Sequence, residues 1–223
     1  MNIVDKLISI IAPENCISCG AEDALLCYEC YSYLLELGSI CFICQKATPG
    51  HSPCHKHQTK NGPDAVFMLQ KYEGVIKDYL KSFKFEQKRS AASEIAKYMN
   101  DYLPYMNTKT FVTWILTSPS RMRVKGFDHS RLIAKELARK RKLNYTELFT
   151  RNHETMLHLL TKEERQKNIT SMYSARNSFV IKDKTILLVD DIITTGATVS
   201  ECSKLLKKAD AKEVMVVAFA KTF

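Results

Sequence analysis

The sequence predicts an α/β protein, a parallel sheet with helices on both faces, preceded by a small cysteine-rich segment that reads as a zinc ribbon. Three observations predict it. Strand and helix patterns alternate from residue 65 onward. Seven of the eight cysteines crowd between Cys16 and Cys54, mostly as C-x2-C pairs. The apolar run Ile186–Val189 leads into two acids and a threonine-glycine loop, as expected of a strand buried on both faces that ends at a ligand site.

The elements follow in order. Met1 to Ala12 places Ile3, Val4, Leu7, Ile8 and Ile11 on one helical face. It is too short to span a bilayer and has no small-residue cleavage site, so it reads as a docking helix against the cysteine segment, with an interfacial anchor as the alternative. The polar stretch His55 to Pro63 ends in breakers and sets a boundary. Residues 1–62 form the ribbon segment and residues 63–223 the α/β domain. Ala65 to Tyr72 reads as a strand, and Val75 to Phe85 and Ala91 to Tyr102 as helices. Phe111 to Thr117 reads as a buried strand, and Ser130 to Lys142 as a helix with Leu132, Ile133, Ala134 and Leu137 inward. Residues 145–150 suit a short strand, and the polar, charge-rich residues 151–178 a long loop. Thr185 to Val189, Thr198 to Ala209 and Val214 to Ala220 complete a strand–helix–strand unit.

The formal net charge is +9. Two zinc ions held by seven thiolates would lower it to about +6. The excess is local: Pro119 to Lys142 holds nine Lys/Arg and two Asp/Glu, which implies an anionic partner there. Beyond Leu137 the same charges read as a solvated helix face. Clustered cysteines without a secretion signal imply metal binding in a reducing cytoplasm.

The cysteine spacing is Cys16-x2-Cys19-x7-Cys27-x2-Cys30, then Cys41-x2-Cys44-x9-Cys54-x2-His57. Each C-x2-C knuckle points two sulfurs at one ion, and a tetrahedral zinc needs two knuckles. His57 sits where a C-x2-H knuckle would place the eighth ligand, with His51 and His55 as competitors. A cross-braced pairing of Cys16/Cys19 with Cys41/Cys44 also satisfies the spacing. Closed four-ligand sites of this kind supply folding energy rather than chemistry.

After Val189 come Asp190, Asp191, Ile192, Ile193, then Thr194-Thr195-Gly196-Ala197-Thr198. Gly196 lets backbone approach a phosphate closely, N–H groups at the helix start point at it, and Thr194, Thr195 and Thr198 add hydroxyls. Asp190 and Asp191 suit vicinal hydroxyls or a hydrated magnesium ion. No Walker loop is present. Cys202 lies on the apolar helix face with Val199, Leu205, Leu206 and Ala209, and reads as core.

The string from Val189 to Thr198 resembles the signature of type I phosphoribosyltransferases, which bind phosphoribosyl diphosphate (PRPP). Gly126-Phe127-Asp128-His129-Ser130 resembles the R-G-F-N-Q segment of the ComF (ComFC) competence-protein family. Arg151, Thr155, His158, Leu159 or Leu160, Arg165 and Asn168 resemble that family's following loop, and the double cysteine segment is a family feature. The departures are Lys125 for Arg, Asp128 for Asn, His129 and His158 for Gln, and Thr117-Ser118-Pro119 for the usual V-P strand end.

The resemblance implies a phosphoribosyltransferase-like fold behind a zinc ribbon. It implies PRPP on Asp190, Asp191, Thr194, Thr195, Gly196, Ala197 and Thr198, with magnesium, and pyrophosphate or other anion contacts at Ser120, Arg121, Arg123 and Lys125. It implies a role in natural transformation, with single-stranded DNA, the competence helicase and the recombination mediator as partners. The expected location is cytoplasmic, at the inner face of the cytoplasmic membrane where the family works. A catalytically active phosphoribosyltransferase with a nucleobase or amine acceptor is the alternative, and a PRPP-gated sensor a third reading. Lys84 is a candidate for the same site, with a solvated helix lysine as the plain reading. His129 and His158 read as solvent-facing. Tyr28, Tyr31, Phe42 and Phe127 are the aromatics available for base stacking.

Overall fold

A computed structural model describes residues 14–86, 88–117, 122, 126–151, 172–176 and 178–223. The predicted N-terminal helix and the anion residues Ser120, Arg121, Arg123 and Lys125 lie outside the described residues, as do Thr155, His158, Leu159, Leu160, Arg165 and Asn168.

Five parallel strands form the sheet: β1 (Ala65–Lys71), β2 (Phe111–Trp114), β3 (Asn144–Tyr145), β6 (Thr185–Ile193) and β7 (Glu213–Lys221), in the order β1-β7-β6-β2-β3. Strand residues alternate between two cores. Leu187, Val189, Val217 and Phe219 face the apolar sides of α2 (Gly74–Phe85), α3 (Ala91–Tyr102) and α4 (His129–Arg141). Ile186, Leu188, Val214 and Val216 face α6 (Ala197–Lys208), Ile181 of α5 (Ser178–Ile181), and Phe149 and Tyr173. The sheet is therefore covered on both faces, as predicted.

Four differences from the sequence reading exceed one residue. β6 continues through Asp190 and Asp191 to Ile193, because the long β7 keeps offering backbone partners as far as Lys221. Charge at a strand end does not stop a ladder whose neighbour continues. β2 stops early. Ile115 N–H still reaches Val189 O at 3.1 Å, but the Leu116 carbonyl accepts from Arg151 Nη1 and Tyr173 OH instead. The single strand expected at 145–150 is two: β3 pairs with β2, and β4 (Phe149–Arg151) turns away to pair antiparallel with β5 (Tyr173–Ala175). The predicted loop thus carries structure at its described C-terminal end, in β5 and the start of α5.

The cysteine segment wraps the β1 edge of the sheet, which would otherwise expose unpaired strand groups. Leu37 N–H donates to Leu69 O at 3.1 Å. On one face Leu25 and Leu26 enter the first core, where the segment's short helix α1 (Tyr28–Ser32) lies close by. On the other, Phe42 enters the second. The half-buried Glu94 of α3 docks the first cysteine group, accepting Leu25 N–H at 2.9 Å, Leu26 N–H at 3.1 Å and Tyr79 OH at 3.0 Å. No helix among the described residues is long and apolar enough to cross a membrane.

Replacing Glu94 by alanine leaves two buried N–H groups without an acceptor. The expected cost is about 2–4 kcal/mol, read as a lower urea midpoint with an unchanged slope.

Candidate phosphate site and metal centres

The site lies at the carboxyl ends of β2 and β6, where an open α/β sheet binds ligands. Gly196 begins α6 with φ +80, a left-handed conformation that favours glycine. A Cβ there would sit 2.7 Å from both Cδ2 and Cε2 of Phe42, so glycine is required twice. Thr194 and Thr195 are exposed on the loop, with Ala197 and Thr198 partly so. The first-turn N–H groups of α6 have no carbonyl within their own helix and carry its positive dipole end.

The loop is tied from behind by Lys221. This lysine is 3% exposed and donates to Thr194 O at 2.7 Å and to Thr222 O. Burial pushes its pKa down. Sequence reading missed it. A lysine closing an otherwise apolar strand is the only signal, and the strand register that sets it beside Ile193 is not visible in one sequence.

Asp190 Oδ1 accepts from Ser130 Oγ at 3.1 Å and from Asp191 N–H at 2.9 Å. Asp191 Oδ2 lies 2.6 Å from Lys84 Nζ, in a pair that is 15% and 10% exposed. Lys84 is therefore a site residue, not a solvated one. Burial, and next the charge of Asp191, push the Asp190 carboxyl up to about 8, with the Asp191 N–H, Lys84 and Ser130 opposing. Asp128 caps α4, accepting from Arg131 N–H, Thr117 N–H and Thr117 Oγ1 at 3.1, 3.2 and 3.2 Å, and burial raises its pKa. A cavity of ≈ 280 Å³ beside it is lined by Trp114, Thr117, Arg131, Arg151 and Arg176 among others.

His129 was expected to face solvent. It is 1% exposed, with its ring 4.8 Å from Phe83 and 4.4 Å from Phe127. Phe127 and Phe42 are likewise buried, and Tyr31 stacks on Tyr98 at 3.7 Å. Of the four aromatics considered for base stacking, Tyr28 alone is broadly exposed, with Lys97 Nζ 4.5 Å over its ring. Beyond Leu137, Arg139 and Lys140 are exposed as expected, but Arg141 turns back onto the carbonyls of Asn100, Leu103 and Pro104.

The ligand atoms of Cys16, Cys19, Cys27 and Cys30 lie within 4.8 Å of one another, and so do those of Cys41, Cys44, Cys54 and His57. The pairing is sequential, not cross-braced. The Cys19–Cys27 and Cys44–Cys54 sulfur separations are 3.7 and 3.6 Å, against about 3.8 Å for a tetrahedron with Zn–S bonds of about 2.3 Å. His57 Nδ1 lies 3.5 Å from Cys41 Sγ and 3.2 Å from Cys54 Sγ. His51 instead packs on Phe67. Burial raises the Cys16 thiol, but N–H groups of Cys27, Cys19 and Ser18 overcome it and bring it to about 6. Cys30, despite a lowering hydrogen bond with Ser18, is pushed up to about 12 by the sulfurs of Cys19 and Cys27. Four thiolates so close repel unless a cation sits among them, and both groups fit zinc.

The phosphoribosyl transferase domain family matches residues 128–222. Competence protein ComFC of Streptococcus pneumoniae is 29% identical over 205 residues, covering 86% of each chain. The match is therefore longer than the transferase domain and takes in part of the cysteine segment. Most of the chain is thus similar to a ComF-type competence protein. DNA utilization protein YhgH of Escherichia coli is 25% identical over 223 residues, covering 88% of this chain and 97% of its own. Competence protein F of Haemophilus influenzae is 33% identical over 102 residues, 44% of each chain. The matched phosphoribosyl transferase domain carries Asp190, Asp191 and the loop from Thr194 to Thr198.

The raised Asp190 pKa predicts a pH dependence. An unfolded aspartate titrates near about 3.9, so between about pH 4 and 8 the folded protein holds this proton more tightly, and stability falls as pH rises. Ligand-free Asp190→Asn is expected to lie closest to wild type near pH 4 and to gain on it steadily up to pH 8 in thermal unfolding. Equal destabilisation at both pH values contradicts the assignment.

Proposed function

We propose that this protein acts in natural transformation, handling imported single-stranded DNA in the cytoplasm, and that it carries a working PRPP site. The single observation behind the PRPP reading is the strand end where Asp190 and Asp191 meet the left-handed Gly196 loop. In the proposed complex, the 5′-phosphate takes the α6 N–H groups and the hydroxyls of Thr194, Thr195 and Thr198. Asp190 and Asp191 accept from the ribose hydroxyls, and a hydrated magnesium ion facing them would supply positive charge against the pyrophosphate. Lys84 keeps the acid pair from being a bare double charge.

The competence role rests on the names of the relatives: two are competence proteins and one a DNA utilization protein. For DNA, Tyr28 with Lys97 offers a stacking face beside positive charge. Such binding weakens steeply with salt. The strand would pass to the competence helicase and recombination mediator.

A second reading, transfer of phosphoribose to a base or amine, is favoured by the arginine-lined cavity beside Asp128, where departing pyrophosphate would be stabilised electrostatically. Pyrophosphate release on adding an acceptor separates the two readings.

Disrupting the gene in a transformable host is expected to cut transformation frequency while DNA uptake continues. Complementation with the Asp190→Asn, Asp191→Asn double variant is expected to fail although the protein accumulates. Unchanged frequency on disruption sinks the competence role. Full rescue by the double variant sinks the need for a PRPP site in it.

A further inference from the structure

The Cys41–Cys44 knuckle bears directly on the phosphate loop. Phe42, between two metal-ligand positions of the knuckle, is 1% exposed. Its ring occupies the space that a side chain on Gly196 would take, and Ile43 Cγ1 stands 3.7 Å from the same point. The ring shares a core with Ile193 and Val199, the residues on either side of the loop. The backbone of Gly196 thus rests on the ring, and the ring sets where the loop can stand.

The ring is carried by the second group of ligand residues, between Cys41 and Cys44. From residue 33 to residue 61 the buried side chains are Cys41, Phe42 and Pro53 alone. A stretch with so little core depends on its ion for folding. The knuckle turn itself rests on Gln45 N–H to Cys41 O and Cys41 N–H to Lys46 O, both 2.8 Å. The first metal group has no such reach. It docks on α3 through Glu94 and enters the opposite core.

We propose that the second metal centre, acting through Phe42, is the clamp that fixes the phosphate loop, so that zinc in Cys41/Cys44/Cys54/His57 and a phosphate ligand in the Thr194–Thr198 loop strengthen each other's binding. Phe42 is a positioning residue: it touches the loop, not the ligand. The proposal rests on the PRPP reading for the identity of the ligand but not for the coupling itself. Coupling between two sites is reciprocal, so each half has its own readout. Metal loss frees the ring, the loop loses its support, and the N–H groups of the α6 start no longer converge. In the other direction, a bound phosphate holds Gly196 down on the ring and keeps the knuckle closed.

The test uses the full chain, zinc-loaded. PRPP affinity is measured by calorimetry, zinc content by mass spectrometry, and amide exchange across residues 194–200 by mass spectrometry. Phe42→Ala is expected to keep both zinc ions yet bind PRPP about tenfold more weakly, with faster loop exchange. Phe42→Leu, which keeps apolar bulk, is expected to recover much of the loss. Cys44→Ser is expected to lose one zinc and the same affinity, whereas Cys19→Ser loses one zinc and stays within about twofold. In wild type, saturating PRPP is expected to slow chelator extraction of one zinc and leave the other unchanged.

Wild-type affinity in both Phe42→Ala and Cys44→Ser overturns the proposal, as does equal PRPP protection of both zinc ions. Should wild type bind no PRPP, the PRPP reading fails, and exchange decides the coupling. Faster loop exchange on losing the second zinc supports it, and unchanged exchange overturns it.

Discussion

Two adjacent carboxylates at the end of the central strand are the constraint around which this molecule is arranged. Like charges side by side, largely out of water, are costly unless something answers them. Lys84 answers Asp191 from the last turn of α2, and Ser130 with the Asp191 N–H answers Asp190 from one side. The Asp190 carboxyl still sits near about 8. A ligand or cation bound at this point would offset that residual cost.

The fold exists to bring those answers to one point. Parallel pairing of β6 with β7 runs past the acids and delivers Lys221 under the loop. The early end of β2 frees Thr117 to meet Asp128, which caps the helix that carries Ser130. The cysteine segment is part of the same arrangement. It covers the β1 edge, enters both cores, and sets Phe42 against Gly196. A small segment with little core of its own would gain a fixed shape from metal in its two ligand groups, and its Phe42 bears on the Gly196 loop.

Much of this was legible in the sequence because it is local. Alternating apolar runs marked the strands, and α3 was read at its observed ends, Ala91 and Tyr102. The two clusters of four ligand-type residues were legible because knuckle spacing is itself geometric. The acids and Gly196 were legible because the loop chemistry lies in one continuous string. What stayed hidden depends on contacts distant in the chain. Lys84 is indistinguishable from a solvated helix lysine until α2 is docked. His129 sits in polar sequence, yet folding puts it between Phe83 and Phe127. Phe42 looked like a stacking aromatic because nothing local tells a buried ring from an exposed one. The full length of β6 depends on how far its neighbour runs.

The measurement closest to the centre of this account is calorimetric titration of PRPP into the zinc-loaded protein, with and without magnesium, against the Asp190→Asn, Asp191→Asn double variant. The account predicts magnesium-dependent binding by wild type, none by the double variant, and a folded protein in both. Binding of equal strength in the double variant, or none in wild type with magnesium present, would show that the acid pair and its loop are not the ligand site described here.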